Sequence, residues 1–273
     1  MAPDIRLILT DIDGTILPYG QHCVSARGVA AFHAALNAGM RVGPASGRGF
    51  SHIPASFGGD AACSATCLAT NGMEVYLDGR LVYQAFIPVE PTRRMAKLLR
   101  HVARAGLICF QDGVPLLVEG NVCDLEASFP LYASQAQVVD DVPGHPMEKV
   151  NIFVNGTMEY THEVLELLQR EINDIDFNVP MKGFVNTLPV GWSKASGIDV
   201  LCDAMGIGID QVVVFGDGGN DVEMLQHVPN SVAVANAVPE AFSAARWHIG
   251  SCEDEAAIAA IEELAAGRWP FRD

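Results

Sequence analysis

The sequence has few basic residues and no long apolar run. It carries 17 lysines and arginines against 33 aspartates and glutamates, which gives a formal net charge of −16 over 273 residues. A surface of that charge repels nucleic acids and anionic membranes, so neither is an expected partner. No stretch approaches the roughly 18 to 20 apolar residues that span a bilayer, and no basic segment with a cleavage signal precedes the first apolar run. We therefore expect a cytoplasmic protein.

Other absences restrict the chemistry. The seven cysteines are scattered and odd in number, which is typical of free thiols in a reducing compartment. Cys63 and Cys67 form the one close pair, and no second pair or neighbouring histidine in the sequence completes a zinc site. The eight histidines show no metal-like spacing, so we interpret them as structural or surface residues. The nucleotide-binding run Gly-x-x-x-x-Gly-Lys-Ser/Thr is absent, which argues against a kinase.

What is present is an alternation of strands and helices. Apolar runs at 5–10 and 41–45 predict buried strands, and the apolar spacing between them predicts a helix over 25–38. This order is typical of a parallel sheet covered by helices. From 85 to 188 the pattern changes to two predicted helices, over 88–105 and about 159–173, and short antiparallel strands. We therefore predict an α/β fold, with a Rossmann-like core of 1–84 and 189–273 and an inserted α+β cap domain of 85–188.

The first motif with chemical content is Asp11-Ile12-Asp13-Gly14-Thr15, directly after the first strand. Two carboxylates at i and i+2 past a strand end can project together into a cleft, and Gly14 permits a sharp turn. One carboxylate can attack phosphorus while its neighbour handles the proton of the leaving oxygen. The alternative is a loop with two solvated acids.

The second motif is Gly216-Asp217-Gly218-Gly219-Asn220-Asp221, after a predicted strand at 212–215. Two acids and an amide on a glycine-rich turn supply the oxygen ligands that Mg²⁺ prefers. The alternative is a tight turn followed by a helix that begins at an aspartate.

Two shorter elements add to the set. Ser46-Gly47-Arg48 follows the second core strand, where a hydroxyl and backbone amides can bind a phosphate oxygen. Lys194 begins a predicted helix, where its ammonium could neutralise a developing negative charge. Their alternatives are an ordinary serine turn and a solvated surface lysine.

Taken in order, these motifs resemble the haloacid dehalogenase superfamily of phosphatases. The insert between the serine and lysine motifs looks like a C2-type cap. Asn71-Gly72 and the run from Val232 to Ala237 are similar to the Cof-type, or IIB, branch. The resemblance covers nearly the whole chain, but its specific motifs lie in the core segments.

The resemblance implies a role for each matching residue. Asp11 would be the nucleophile and a Mg²⁺ ligand, and Asp13 would be the general acid and base, with its backbone carbonyl on the metal. Asp217 would be a further Mg²⁺ ligand, and Asp221 would support the metal site or orient the lysine. The phosphoryl group would be held by a set of four residues, namely Ser46, Gly47, Lys194 and Asn220.

Two positions depart from the expected pattern. Ala195 follows the lysine where family members more often have glycine. Pro44 stands within the second core strand, where it loses a ladder hydrogen bond, so that strand is expected at an edge of the sheet or bent. Neither change removes a functional group.

The function that follows is hydrolysis of a small phosphomonoester, such as a sugar phosphate, through an aspartyl-phosphate on Asp11. A phosphomutase of the same fold, which returns the phosphoryl group to its substrate, is the first alternative. A non-catalytic phospho-aspartate switch is the second, although a switch has no need of the acid at Asp13. No motif specifies the substrate or the oligomeric state.

Overall fold

Three sheets organise the chain, which the computed structural model describes over residues 3–271. In chain order the strands are β1 Leu7–Thr10, β2 Arg41–Pro44, β3 Cys67–Ala69, β4 Glu74–Leu77, β5 Arg80–Gln84, β6 Ala105–Gln111, β7 Val114–Glu119, β8 Gln137–Val138, β9 Lys149–Val154, β10 Asp176–Met181, β11 Phe184–Leu188, β12 Val212–Gly216, β13 Asn230–Ala233 and β14 Trp247–His248.

The α-helices are α1 Ala26–Asn37, α2 Val89–Leu99, α3 Val122–Ser128, α4 Pro130–Ala133, α5 Met158–Glu171, α6 Lys194–Met205, α7 Val222–His227, α8 Pro239–Ala244 and α9 Ala256–Ala265. Short 3₁₀ helices occupy Phe50–His52, Pro54–Phe57, Ala61–Ser64, Thr70–Gly72, Ile209–Gln211 and Gly219–Asp221. No helix within residues 3–271 is long and apolar enough to cross a membrane.

The chain divides into two compact units, Met1–Gln84 with Ser193–Asp273 and Ala85–Trp192. The first unit contains a parallel sheet in the order β14-β13-β12-β1-β2 and a smaller antiparallel sheet, β3-β4-β5. The α/β class and the Rossmann-like parallel core predicted from the sequence are confirmed. Because β2 forms one edge of the parallel sheet, Pro44 sits where a missing ladder donor is tolerated.

The parallel sheet is buried on both faces because its strands carry apolar side chains on both sides. In β1, Ile8 belongs to a cluster that includes residues of α1 and α9, while Leu7 and Leu9 belong to a second cluster with residues of α6, α7 and α8. The result is a helix–sheet–helix sandwich, which is the usual solution for a parallel sheet.

Capping residues fix the helices that matter most for the core. Ser25 caps α1 by accepting a hydrogen bond from the Gly28 amide. Ser193 caps α6 in a capping box with Ser196, so Lys194 begins that helix at a defined position.

The second unit is a mixed sheet in the order β10-β11-β9-β6-β7-β8, antiparallel except between β7 and β8. The helix predicted over 88–105 ends at Leu99, and residues 100–104 form a turn in which Arg104 is left-handed (φ +58°) before Ala105 begins β6. Helices α3 and α4 were not predicted. The role of this unit as a cap stays a prediction.

Candidate active site

The acidic motifs meet at one edge of the parallel sheet because β1 lies between β12 and β2. Thr10, the last residue of β1, is in register with Phe215 on one side and Pro44 on the other. Asp11 and Asp217 therefore follow the carboxyl ends of adjacent strands, which is where open α/β sheets place their ligands.

The centre of the site is a buried lysine between two carboxylates. Lys194 Nζ donates hydrogen bonds to Asp11 Oδ1 and to Asp221 Oδ1, both at 2.6 Å. The side chains of Lys194 and Asp221 are fully buried, and that of Asp11 is 11% exposed. Oδ2 of Asp221 accepts the backbone amides of Asp217 and Gly218. Asp221 thus connects Lys194 to the backbone of Asp217 and Gly218, which suits a residue that orients the lysine.

Gly14 allows the two acidic motifs to approach each other. It has a φ of +84°, and a Cβ at this position would lie 2.3 Å from Asp217 Oδ2. Any larger residue would therefore be strained and would push the Asp217 carboxylate out of place.

Three residues without an assigned role hold this loop. Thr15 donates to Asp217 Oδ1 at 2.7 Å, and the Tyr19 hydroxyl donates to Oδ2 at 3.4 Å. Asn236 donates to the Gly14 carbonyl at 2.7 Å and accepts the Cys252 amide at 2.8 Å. Thr15 and Asn236 lie in motifs that the sequence made visible, whereas no pattern indicated Tyr19.

The predicted phosphate-binding residues form a neighbouring group. The buried Ser46 hydroxyl accepts a hydrogen bond from the Arg48 amide at 3.2 Å, which is the geometry of an ordinary serine turn. Asn220 donates to Asn71 Oδ1 at 3.0 Å, and a Cβ on Gly47 would lie 3.3 Å from that same oxygen. Within residues 3–271, neither Ser46 nor Asn220 is hydrogen-bonded to Asp11 or Lys194.

Asp13 does not point its carboxylate into the buried cluster. Its two oxygens accept a bidentate pair of hydrogen bonds from Arg48, Nε at 3.0 Å and a terminal nitrogen at 2.6 Å. Arg48 also donates to the Ser56 hydroxyl at 2.8 Å, which fixes the guanidinium.

Burial and mutual repulsion control the protonation of the cluster. Burial raises the pKa of Asp11 well above its usual range; Lys194 opposes this, and the carboxylates of Asp221 and Asp217 add to it. The pKa of Asp217 is raised to about 7, first by burial and then by Asp221. Burial lowers the pKa of Lys194, but Asp11 and Asp221 outweigh that effect and raise it overall, so the lysine stays charged.

The donor set fits a hard divalent cation. Carboxylate oxygens of Asp11, Asp217 and Asp221 lie within 4.8 Å of one another. Within the described residues, Asp11 Oδ2 receives no hydrogen bond, so it can face a ligand. Crowded anionic oxygens of this kind suit Mg²⁺, which takes one or two carboxylates and completes its shell with water and phosphate.

We expect Mg²⁺ to stabilise the protein more at pH 8 than at pH 6. The pKa of Asp217 is higher in the fold than in the unfolded chain, where it is about 3.9. Its contribution to stability is therefore present below about pH 4 and is lost as pH rises through about 7. Mg²⁺ competes with the bound proton and must displace it at pH 6. The measurement is the increase in Tm on adding Mg²⁺ at each pH.

The control for this prediction is Asp217→Asn, which removes the titrating group. It should abolish most of the difference between the two pH values. An equal increase in Tm at pH 6 and pH 8 in the unmodified protein would contradict the prediction.

Comparison with known proteins gives a family match over most of the chain. A family model described as haloacid dehalogenase-like hydrolase matches residues 8–261. A 5-amino-6-(5-phospho-D-ribitylamino)uracil phosphatase of Escherichia coli (strain K12), YbjI, is 28% identical over 281 aligned residues, which cover 98% of each chain.

Solved structures share the fold. The haloacid dehalogenase subclass IIB sugar phosphatase BT4131 superposes with a TM-score of 0.79 at 21% identity, over 95% of this chain and 98% of that chain. A haloacid dehalogenase-like hydrolase from Bacteroides thetaiotaomicron gives a TM-score of 0.77 at 22% identity, over 95% and 99% of the two chains. At these identities the similarity establishes the architecture, and the chemistry has to be argued from the site.

Proposed function

Because the chain belongs to the haloacid dehalogenase-like hydrolases, we propose that it is a Mg²⁺-dependent phosphatase of small phosphomonoesters. Its substrate class is sugar phosphates and similar phosphorylated metabolites. The reaction proceeds through an aspartyl-phosphate on Asp11.

One observation carries this proposal: the buried contact of Lys194 with Asp11 at the carboxyl ends of adjacent parallel strands. A lysine is rarely buried, and here it is held by two carboxylates at 2.6 Å. A purely structural ion pair of this kind is not a strong source of stability, because desolvation offsets the attraction. Because Asp11 Oδ2 receives no hydrogen bond from any residue that the structure describes, it can face a phosphoryl group, and the neighbouring ammonium is well placed to offset the charge of that group.

In the first half-reaction, Asp11 Oδ2 attacks phosphorus and the bond from phosphorus to the leaving oxygen breaks. Asp13 gives the leaving oxygen a proton. Lys194 stabilises the charge on the transferring group, and Ser46 and Asn220 orient it. Before this step Asp13 must leave Arg48 and take up one proton from solvent, because both of its oxygens accept hydrogen bonds from Arg48 and neither carries a proton in that pair.

In the second half-reaction, water attacks the phosphorus of the aspartyl-phosphate. Asp13, now a carboxylate, takes a proton from that water. The bond from phosphorus to Asp11 breaks, so inorganic phosphate leaves and Asp11 is regenerated.

Asp11, Asp217 and the backbone carbonyl of Asp13 would hold Mg²⁺, with Asp221 behind them. When bound, Mg²⁺ would supply positive charge to the phosphoryl oxygens in a protein whose net charge is −16. A raised pKa of Asp217 is expected for a buried carboxylate in an acidic cluster that binds a cation.

The substrate class has support from the relatives. The E. coli relative is named for a phosphorylated ribityl compound, and a solved structure of the same fold is described as a sugar phosphatase. We assign the selection of substrate to the second unit, Ala85–Trp192, which the resemblance identifies as a C2-type cap.

A panel of phosphorylated compounds tests the function directly. We expect inorganic phosphate release from a few sugar phosphates or related metabolites with Mg²⁺ present, and none after chelation. The readout is free phosphate, together with chromatography of the organic product.

The alternatives give different products. A mutase would yield a phosphorylated isomer with little free phosphate, and a switch would keep its aspartyl-phosphate for minutes. Release that continues at full rate in chelator would contradict the metal-dependent mechanism.

A further inference from the structure

A second cluster of metal-ligating side chains lies in the first unit, built from residues that the catalytic mechanism does not use. His33 Nε2 is 2.7 Å from Asp60 Oδ2. A His33 nitrogen, an Asp60 oxygen and the Cys63 sulfur all lie within 4.8 Å of one another. No histidine neighbours Cys63 in the sequence, but the fold brings His33 of α1 close to it.

Local structure places Asp60 and Cys63 on one side of a turn. Asp60 is the N-cap of the 3₁₀ helix Ala61–Ser64. In a 3₁₀ helix there are three residues per turn, so the side chains at i and i+3 eclipse each other. Asp60 Oδ1 accepts the Ala62 amide at 3.0 Å, which leaves Oδ2 directed at His33.

Core packing holds this turn against α1. Phe32 of α1 contacts Phe57, with ring centroids 5.1 Å apart, three residues before Asp60. His33 follows Phe32 and lies at the margin of that buried contact, with its side chain 43% exposed. Cys63 is buried, while the Asp60 side chain is 32% exposed. The three ligands thus rest on packed elements, and the site has access to solvent.

We propose that His33, Asp60 and Cys63 form a binding site for a thiophilic divalent cation of the zinc class. Imidazole nitrogen, carboxylate oxygen and thiolate sulfur are the ligands that Zn²⁺ takes, with water in the fourth position of a tetrahedron. The sulfur distinguishes this site from the all-oxygen cluster of Asp11 and Asp217, which suits Mg²⁺.

The geometry requires only small movements. Zinc ligand distances of about 2.0–2.3 Å place neighbouring donor atoms of a tetrahedron about 3.5 Å apart. The distance between His33 Nε2 and Asp60 Oδ2 must therefore increase by about 1 Å. The Cys63 sulfur, which lies within 4.8 Å of both atoms, must move closer to them. Such shifts are within the range of side-chain rotation.

Binding is balanced in charge and protons. Cys63 binds as the thiolate and releases its thiol proton to solvent. His33 binds as the neutral imidazole through Nε2, with its proton on Nδ1, and the hydrogen bond to Asp60 is replaced by the metal. The two anionic ligands then neutralise the dication.

Such an ion joins α1 to the segment that follows the second core strand. We expect it to stabilise the fold, since a ligand that binds only the folded state raises Tm. Catalysis does not need it, so its removal leaves phosphatase activity in Mg²⁺ intact.

Cobalt substitution tests the site in the full-length protein. With Mg²⁺ present to occupy the oxygen site, one equivalent of Co²⁺ should produce a thiolate-to-cobalt charge-transfer absorption in the near ultraviolet. Zn²⁺ should displace the bound Co²⁺, so that this absorption disappears, and it should raise Tm. A Co²⁺ ion bound only by carboxylates gives no such band, so the catalytic cluster cannot imitate the result.

Matched variants identify the ligands. Cys63→Ser should abolish the band, whereas Cys67→Ser, a buried cysteine outside the cluster, should keep it. His33→Ala should weaken Co²⁺ binding by more than about tenfold, since loss of even an outer-shell partner costs 10- to 100-fold. His22→Ala is the exposed control and should bind as the unmodified protein does.

Because His33 is partly exposed, His33→Ala should fold normally. It therefore tests the site even if the buried substitution Cys63→Ser impairs folding. Absence of the band in the unmodified protein would overturn the proposal. A band that survives Cys63→Ser, or one lost equally in His22→Ala and His33→Ala, would also overturn it.

Discussion

Asp11→Asn is expected to lower kcat/KM by at least about 1000-fold, which corresponds to ~4 kcal/mol of transition-state stabilisation. An amide oxygen is a far weaker nucleophile than a carboxylate and cannot form the aspartyl-phosphate. The substitution is close to isosteric, and Lys194 keeps its second partner, Asp221. The loss should therefore be chemical rather than structural.

The measurement is steady-state phosphate release, with a rapid acid quench to detect the phosphorylated enzyme. Asp203→Asn is the matched control, because Asp203 is an exposed carboxylate on α6 of the same unit. It should retain full activity. An Asp11→Asn enzyme that turns over at the unmodified rate, or that still forms the covalent phosphoenzyme, would exclude Asp11 as the nucleophile.

Lys194→Met is expected to damage both stability and catalysis. Removing one partner of a buried ion pair leaves uncompensated charge and typically costs about 3–5 kcal/mol. Because the pKa of Asp11 is already raised, part of that cost is relieved by protonation, and we expect about 3 kcal/mol. Activity should fall by about 10²- to 10³-fold, as when an electrostatic donor to the transition state is lost.

Denaturant unfolding and phosphate release measure the two effects separately. Lys182→Met is the control for the unfolding measurement, because that lysine is exposed and its loss should change stability by less than about 0.5 kcal/mol. Adding Asp221→Asn to Lys194→Met should restore part of the stability, since it removes one of the stranded charges. Strictly additive losses in this double-mutant cycle would argue against the buried triad.

The order of the motifs and their family resemblance together predicted that the acidic residues meet at one site. Apolar runs that end in acids predicted β1 and β12, and the parallel rule places their carboxyl ends at one edge, where Asp11 and Asp217 are found. The edge position of β2 could be argued from Pro44, because proline removes a ladder donor. These inferences succeed because they depend on local pattern and on strand direction.

Contacts between distant segments were beyond the same reasoning. Nothing in the sequence links Arg48 to Asp13 rather than to a ligand, or His33 to Cys63, because each contact depends on how a helix or loop packs. The early end of α2 was missed for another reason: the helical spacing continues through residues 100–104, although these residues form a turn before β6. Helices α3 and α4 are too short for periodicity to reveal.

The pairing of β1 with β12 also has a consequence for synthesis on the ribosome. Leu7 is in register with Val212, so the two strands are separated by 212 − 7 = 205 residues. At about 5–20 residues per second, β1 waits for about 10–40 s before its partner emerges. During that interval its neighbour β2 can cover one edge only, and the other edge exposes unpaired backbone and apolar side chains. Nascent chains stalled before residue 212 should therefore bind holdase chaperones, and full-length release should end that association.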